Sequence, residues 1–214
     1  VGNKFLSDLR STDAIIHVLR CFEDDNLPHI EGSIDPVRDK ELIDLELQFK
    51  DLEVVEKRLV KAEKAAKSGE KEAKKTVEVL KKYKEHLENF QSARDIDIKE
   101  EDKKIVKDLS LLTEKPVLFV CNVDEDSAVS GNKYVEQVQE ALKDENAEVL
   151  VIAAALEADI SELDSEEDRK EFLRDAGLTE PGVNKLVRAA YKLLNLKTFF
   201  TVGPKENRAW TIKE

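Results

Sequence analysis

Methionine is missing from all 214 residues. A natural reading frame opens with one, and a chain of this size seldom lacks it elsewhere, so the sequence is expected to be a piece of something longer. Cysteine is nearly as scarce. Cys21 and Cys121 each lie in or at the end of an apolar run and share no metal-like spacing, which excludes a disulfide framework and predicts buried, reduced thiols in a cytosolic protein. No apolar run reaches membrane-spanning length and no secretory signal pattern is visible, which predicts a cytoplasmic protein with no membrane partner. What is plentiful is charge. Charged residues make up 38% of the chain, against an ordinary level of about a quarter, so some segment must be mostly solvated. The 41% apolar share is adequate for a core. The net charge of −12 argues against a wholly nucleic-acid-binding surface and leaves room for a local basic face.

The stretch Pro116–Glu125 organises the rest. An uninterrupted apolar run, Val-Leu-Phe-Val-Cys, passes directly into Asn122, Val123, Asp124 and Glu125. Strands buried on both faces of a parallel sheet read as continuous apolar runs, and ligands bind beyond their carboxyl ends. Ala14–Phe22 reads as a second buried strand by its β-branched content, with His17 as a hydrogen-bonded core or edge residue; a short helix on Phe5, Leu6 and Leu9 precedes it. A third strand, Glu148–Ala155, ends in the small residues Ala153, Ala154 and Ala155, which let a ligand approach backbone amides.

The loop from Glu23 to Ser33 follows the first strand on the same side as the Asn122 turn and contains His29. An imidazole there suits proton or water chemistry, since it titrates near neutrality. A surface histidine in a loop is the other reading.

Asp35-Pro36 opens a long amphipathic helix with apolar residues at Leu42, Leu45, Phe49, Leu52, Val55, Leu59, Ala62 and Ala66. Ser68-Gly69 interrupts it, and Ala73, Val77, Leu80, Tyr83, Leu87 and Phe90 continue the period. Each helix has one apolar stripe, so the pair is expected to form an antiparallel coiled-coil hairpin. From Lys50 to Glu88 there are 12 Lys and Arg against 9 Asp and Glu, a local +3 that leaves −15 on the remainder. That hairpin is the place where an acidic protein could meet RNA phosphates; a charge-laced solvated coil accounts for the same residues.

A helix over Glu100–Leu112 returns the chain to the main body, and Asn132–Asn146 is expected to form another on Tyr134, Val135, Val138 and Leu142. Asp164-Ser165 and Pro181-Gly182 start two more helices, Gly177 ending the first of these. Thr198–Val202 and Arg208–Ile212 read as two strands, a marginal piece by itself and the expected start of a further domain.

A strand, Asn-x-x-acid, helix, strand and small-residue turn resemble the back half of a P-loop GTPase-type domain. In that group an Asn-Lys-x-Asp motif reads guanine; here Asn122 is kept, Val123 stands for the Lys and Glu125 for the Asp. Adenine offers an acceptor at N1 and no 2-amino donor, so a carboxylate aligned for guanine loses its partners. Together with Gly2–Leu6, Arg20–Asp25, Gly32–Pro36, Ala154–Glu157 and Phe200–Thr211, the chain closely resembles the Obg-like ATPases of the YchF subfamily over essentially its whole length.

The resemblance implies an α/β fold: a partial P-loop GTPase-like open sheet over 1–35 and 111–197, an inserted coiled-coil domain at 36–110, and the start of a TGS domain at 198–214. It implies a ribosome-associated protein, expected as a monomer, that hydrolyses ATP in preference to GTP with Mg²⁺. Base contacts carry over onto Asn122, Val123, Glu125, Ala154, Ala155 and Leu156, and His29 matches a loop histidine proposed to replace the catalytic Gln. No residue is assigned to a metal. Neither Gly-x-x-x-x-Gly-Lys-Ser/Thr nor Asp-x-x-Gly occurs, so these residues alone are expected to be inactive as a hydrolase. Two other functions remain open: a non-catalytic hairpin module that binds ribosome or RNA, and a GTPase.

Overall fold

The computed structural model describes residues 2–145 and 147–214. In chain order it contains α1 (Asn3–Arg10), β1 (Ile15–Arg20), α2 (Pro36–Lys67), α3 (Lys71–Glu88) and α4 (Glu100–Val106). Then follow β2 (Val117–Asn122), α5 (Lys133–Leu142), β3 (Glu148–Ile152), α6 (Ala154–Glu162), α7 (Glu166–Asp175), α8 (Gly182–Leu193), β4 (Leu196–Val202) and β5 (Asn207–Lys213). Val1 and Asn146, which bound two of the expected helical stretches, lie outside the described residues. The chain divides into two compact units: residues up to Ile15 with Lys40–Pro116, and Ile16–Asp39 with Val117–Glu214.

The first unit is helical. α2 and α3 run antiparallel, because Glu56 pairs with Lys84 at 2.7 Å while Glu63, further along α2, pairs with Lys81, earlier in α3, at 3.6 Å. Gly69 takes φ +95° in the turn between them, a conformation that favours glycine. Val55, Leu59 and Ala62 of α2 meet Val79, Leu80, Tyr83 and Leu87 of α3 in one apolar cluster. The apolar period extends past what the helices bury: Phe49 and Phe90 stay largely exposed and meet edge to face, their ring centroids 6.3 Å apart at 86°.

The expected helix over Glu100–Leu112 stops early. α4 ends at Val106, a 3₁₀ turn covers Lys107–Leu109, and Ser110 adopts φ +47°. A helical path would have kept the N–H groups of Leu112 and Thr113 for the preceding turns. Instead both donate to the carboxylate of Asp51, at 2.8 and 2.7 Å, while the side chain of Leu112 is fully buried.

The second unit holds a three-stranded sheet in the order β1-β2-β3. β2 and β3 pair in parallel from Leu118↔Glu148 to Asn122↔Ile152. The bonds Ile15 N–H to Pro116 O and Cys21 N–H to Asn122 O advance equally on both strands, so β1 is parallel to β2 as well. β2 is therefore central, which explains its unbroken apolar run, and α5 supplies the crossover to β3. The core gathers Leu19, Phe119, Val123, Val135, Val138 and Leu142 with the two free, buried cysteines, Cys21 and Cys121.

β3 ends at Ile152, three residues before the end read from the sequence, because Ala154 already belongs to α6. α7 is capped by Ser165, whose hydroxyl accepts the Asp168 N–H at 3.0 Å, and Gly177 follows its end at φ +71°. β4 and β5 form an antiparallel ribbon, Phe199 opposite Trp210, exposed along nearly its whole length.

Candidate nucleotide-base site

Three segments of the second unit converge at the carboxyl ends of the strands. Phe22, Glu23 and Asp24 follow β1, Asn122 ends β2 and Val123 to Asp126 follow it, and Ala155 belongs to the first turn of α6; together they line a cleft of about 450 Å³. This is where an open parallel sheet places its ligands.

Asn122 joins two of these segments. Its Oδ1 accepts the Ala154 N–H at 3.0 Å, and the next residue, Val123, donates its own N–H to Ile152 O at 3.0 Å while its side chain enters the core. Asp124 closes the following turn by accepting the Ser127 N–H at 2.9 Å. Asn132, the cap of α5, accepts from Tyr134 and Val135 N–H and donates through Nδ2 to Cys21 O at 2.7 Å and to Ser127 Oγ at 3.3 Å. One amide thus ties the end of β1 to the turn after β2. Arg20 holds the remaining wall. Its guanidinium donates to the carbonyls of Phe22, Asp24 and Leu27 and lies 4.9 Å from the centre of the Phe22 ring.

Five carboxylates border the cleft: Glu23, Asp24, Asp124, Glu125 and Asp126. Three are engaged. Glu23 accepts from the Tyr134 hydroxyl and from Lys133 Nζ, Asp24 from the Asn26 N–H, and Asp124 from Ser127. Among the described residues the carboxylates of Glu125 and Asp126 have no partner, and they remain acceptors facing solvent. The backbone N–H of Ala155 likewise has no partner among them, being in the opening turn of a helix. A purine amine finds acceptors here, and a ring nitrogen finds a donor, so the residues present fit a purine base. The clustered negative charge would repel phosphates and direct them away from this rim. Among the described residues no group of three or more His, Cys, Asp and Glu could hold a metal ion.

The Tyr134 hydroxyl, and after it Lys133, hold the Glu23 carboxyl below its ordinary value. Replacing Tyr134 with phenylalanine removes the larger of these influences. The Glu23 carboxyl is then expected to rise toward its ordinary value, read from the pH titration of its side-chain NMR resonance; an unchanged midpoint would show that the contact does not form.

No protein-family model matches the chain. The ribosome-binding ATPase YchF of Escherichia coli O157:H7 is 47% identical over 212 residues, which cover 99% of this chain and 58% of that protein. Its counterpart in Bacillus subtilis (strain 168) is 47% identical over 216 residues, 100% of this chain and 59% of that protein. The solved YchF GTPase of Schizosaccharomyces pombe superimposes with a TM-score of 0.88 at 32% identity, covering 99% of this chain and 58% of that one. Along its whole length the chain is a homologue of these YchF proteins. It spans less than two thirds of the length of these relatives.

Of the residues the YchF resemblance singles out, Asn122, Val123, Glu125 and Ala155 line the cleft together. Ala154 contributes the N–H that Asn122 accepts, and Leu156 is buried in the core behind the turn. His29 is not among the lining residues. Its Nε2 lies 2.7 Å from Asp39 Oδ2 in the first turn of α2, and its Nδ1 accepts the Glu31 N–H at 3.1 Å. A ring nitrogen that accepts carries no proton, so Nε2 is the donor toward Asp39. Asp39 also receives the Arg38 guanidinium at 3.0 Å. Both ring nitrogens are thus occupied by the protein. Arg20 and the bridging role of Asn132 gave no local signal in the sequence, since their partners come together only in the folded sheet.

Proposed function

We propose that this YchF homologue supplies the base-binding side of a ribosome-associated ATPase that prefers ATP to GTP. The observation that carries the reading is the Asn122 Oδ1 to Ala154 N–H bond at 3.0 Å, which fixes two strand-end turns around an unpaired Glu125 carboxylate. Asn122, Val123, Glu125, Ala154, Ala155 and Leu156 form the base site in this reading. Glu125 accepts from the adenine amine, the Ala155 N–H donates to a ring nitrogen, and Leu156 supports the turn from the core. Mg²⁺ accompanies the nucleotide and neutralises phosphate charge. His29 acts on water only after release from Asp39 and Glu31.

The same proposal takes residues 1–35 and 111–197 as the G domain, 36–110 as its inserted coiled coil, and β4–β5 as the opening of a TGS domain, in a monomeric cytoplasmic protein. The names of relatives point to the ribosome and to ATP in the bacterial proteins, and to GTP in the fission-yeast one. A GTPase is therefore the nearest alternative. A non-catalytic hairpin module is the other, favoured by the exposed Lys61, Lys64, Lys67 and Lys74 near the hairpin turn, which form no ion pair among the described residues.

Titration of the chain with ATP and with GTP tests these readings. Adenine-selective binding is expected, weakened about tenfold by Asn122→Ala, the effect of one lost hydrogen bond and a stranded donor. Equal or stronger binding of GTP overturns the adenine preference. Ribosome binding that needs no nucleotide, and that disappears when the hairpin lysines are reversed to glutamate, favours the hairpin module.

A further inference from the structure

The first turn of α6 is held from two sides, and only one of them is the base motif. On the β2 side Asn122 accepts the Ala154 N–H. On the other side Glu157, one turn into α6, extends its carboxylate to the start of α8. Oε1 accepts the Gly182 N–H at 2.6 Å and Oε2 accepts the Val183 N–H at 3.1 Å. These are orphan donors of a 12-residue helix whose own cap position, Pro181, makes no side-chain cap bond. Glu157 therefore caps α8 in trans, with a charge matched to the helix N-terminus.

The approach is close. A methyl group added at Gly182 would lie 3.0 Å from Glu157 Oε1 and 3.1 Å from Ile152 Cγ2. Ile152 is the last residue of β3 and the acceptor for the Val123 N–H. The lack of a side chain at Gly182 thus lets α8 seat against both the strand end and the α6 turn that presents Ala155 to the cleft.

We propose that Glu157 is a positioning residue for the base cleft. It touches no ligand. It fixes the angle of the α6 opening turn, and with it the direction of the unpaired Ala155 N–H, by clamping that turn to the N-terminus of α8. Purine selection depends on the placement of one donor relative to the Glu125 carboxylate, so a looser turn admits adenine and guanine more equally. This inference rests on the base-site reading above.

The test measures ATP and GTP affinities of the full chain by calorimetry, alongside thermal unfolding, for the wild type, Asn122→Ala, Glu157→Gln and Gly182→Ala. Glutamine keeps the shape of the side chain but replaces one accepting oxygen with an amine that faces an N–H. The ATP-to-GTP affinity ratio is expected to narrow roughly fivefold to tenfold in Glu157→Gln, because a displaced donor loses most of its discrimination. The same narrowing is expected in Gly182→Ala, which keeps Glu157 and pushes its carboxylate aside. The double variant Asn122→Ala with Glu157→Gln is expected to lose less than the product of the single losses, since both act on one turn. A purely structural carboxylate would lower the unfolding temperature and leave the ratio of the folded protein unchanged; that result, with Asn122→Ala still weakening ATP, overturns the role of Glu157 alone. Binding indifferent to Asn122→Ala overturns the base-site reading and this inference with it.

Discussion

Asp51→Ala is expected to lower the unfolding free energy by about 3–5 kcal/mol, the cost of breaking a buried hydrogen-bonded charge. Asp51 is fully buried, and each carboxylate oxygen receives two donors. Oδ1 takes the Leu112 N–H at 2.8 Å and Arg10 Nη1 at 3.1 Å; Oδ2 takes the Thr113 N–H at 2.7 Å and the Thr113 hydroxyl at 2.8 Å. Burial pushes the carboxyl above its ordinary value, and the Thr113, Leu112 and Arg10 donors oppose that push. Alanine leaves two buried backbone N–H groups and a hydroxyl without the acceptor that drew the chain out of its helical path after α4. The hydroxyl has a second use, accepting the Ala93 N–H at 3.0 Å, so its loss reaches the end of the hairpin. Asp51→Asn is expected to be nearly as severe, because an amide nitrogen at either oxygen position faces donors only. Urea denaturation followed by helical circular dichroism reads the change as a lowered midpoint. A loss below about 1 kcal/mol would place Asp51 with ordinary surface carboxylates.

How much of this was legible in the sequence depended on whether the deciding contacts were local. β2 was legible because a central parallel strand is buried on both faces, leaving the run Val117–Cys121 without a polar interruption. The antiparallel helix pair was legible because its stripe repeats every three or four residues and Ser68-Gly69 breaks it. α6 was not. Ala153, Ala154 and Ala155 suit a strand end as well as a helix start, and the choice rests on Asn122, 32 positions earlier, accepting the Ala154 N–H. The early end of α4 was equally hidden, since Asp51 lies 61 and 62 residues from the two N–H groups it captures. At the cleft, Asn122 and Glu125 could be named from their place after an apolar run. Arg20, Asn132 and Glu157 could not, because each acts through backbone atoms that the sequence does not label.

The second large effect concerns chemistry. The 214-residue chain is expected to bind ATP and yet release phosphate no faster than a preparation carrying Asn122→Ala and His29→Ala. Phosphoryl transfer is accelerated almost entirely by positioning and by charge placed around the γ-phosphate: a cradle of backbone N–H groups, a lysine, and a magnesium ion held by a hydroxyl. The sequence here holds no Gly-x-x-x-x-Gly-Lys-Ser/Thr to supply these. What surrounds the cleft instead is negative, with Glu23, Asp24, Asp124, Glu125 and Asp126 along its border. Such a rim suits an amine-bearing ring and raises the energy of a transition state that spreads negative charge over phosphate oxygens. His29 does not compensate. Its Nδ1 accepts the Glu31 N–H and its Nε2 faces Asp39, so neither nitrogen is free to take a proton from water. A phosphate-release assay at saturating ATP with Mg²⁺ decides the matter. Turnover of the wild-type chain clearly above the double variant would show that these residues complete a hydrolytic site by themselves. Background turnover together with measurable ATP binding would assign them the selection of the base and leave the phosphates to other machinery.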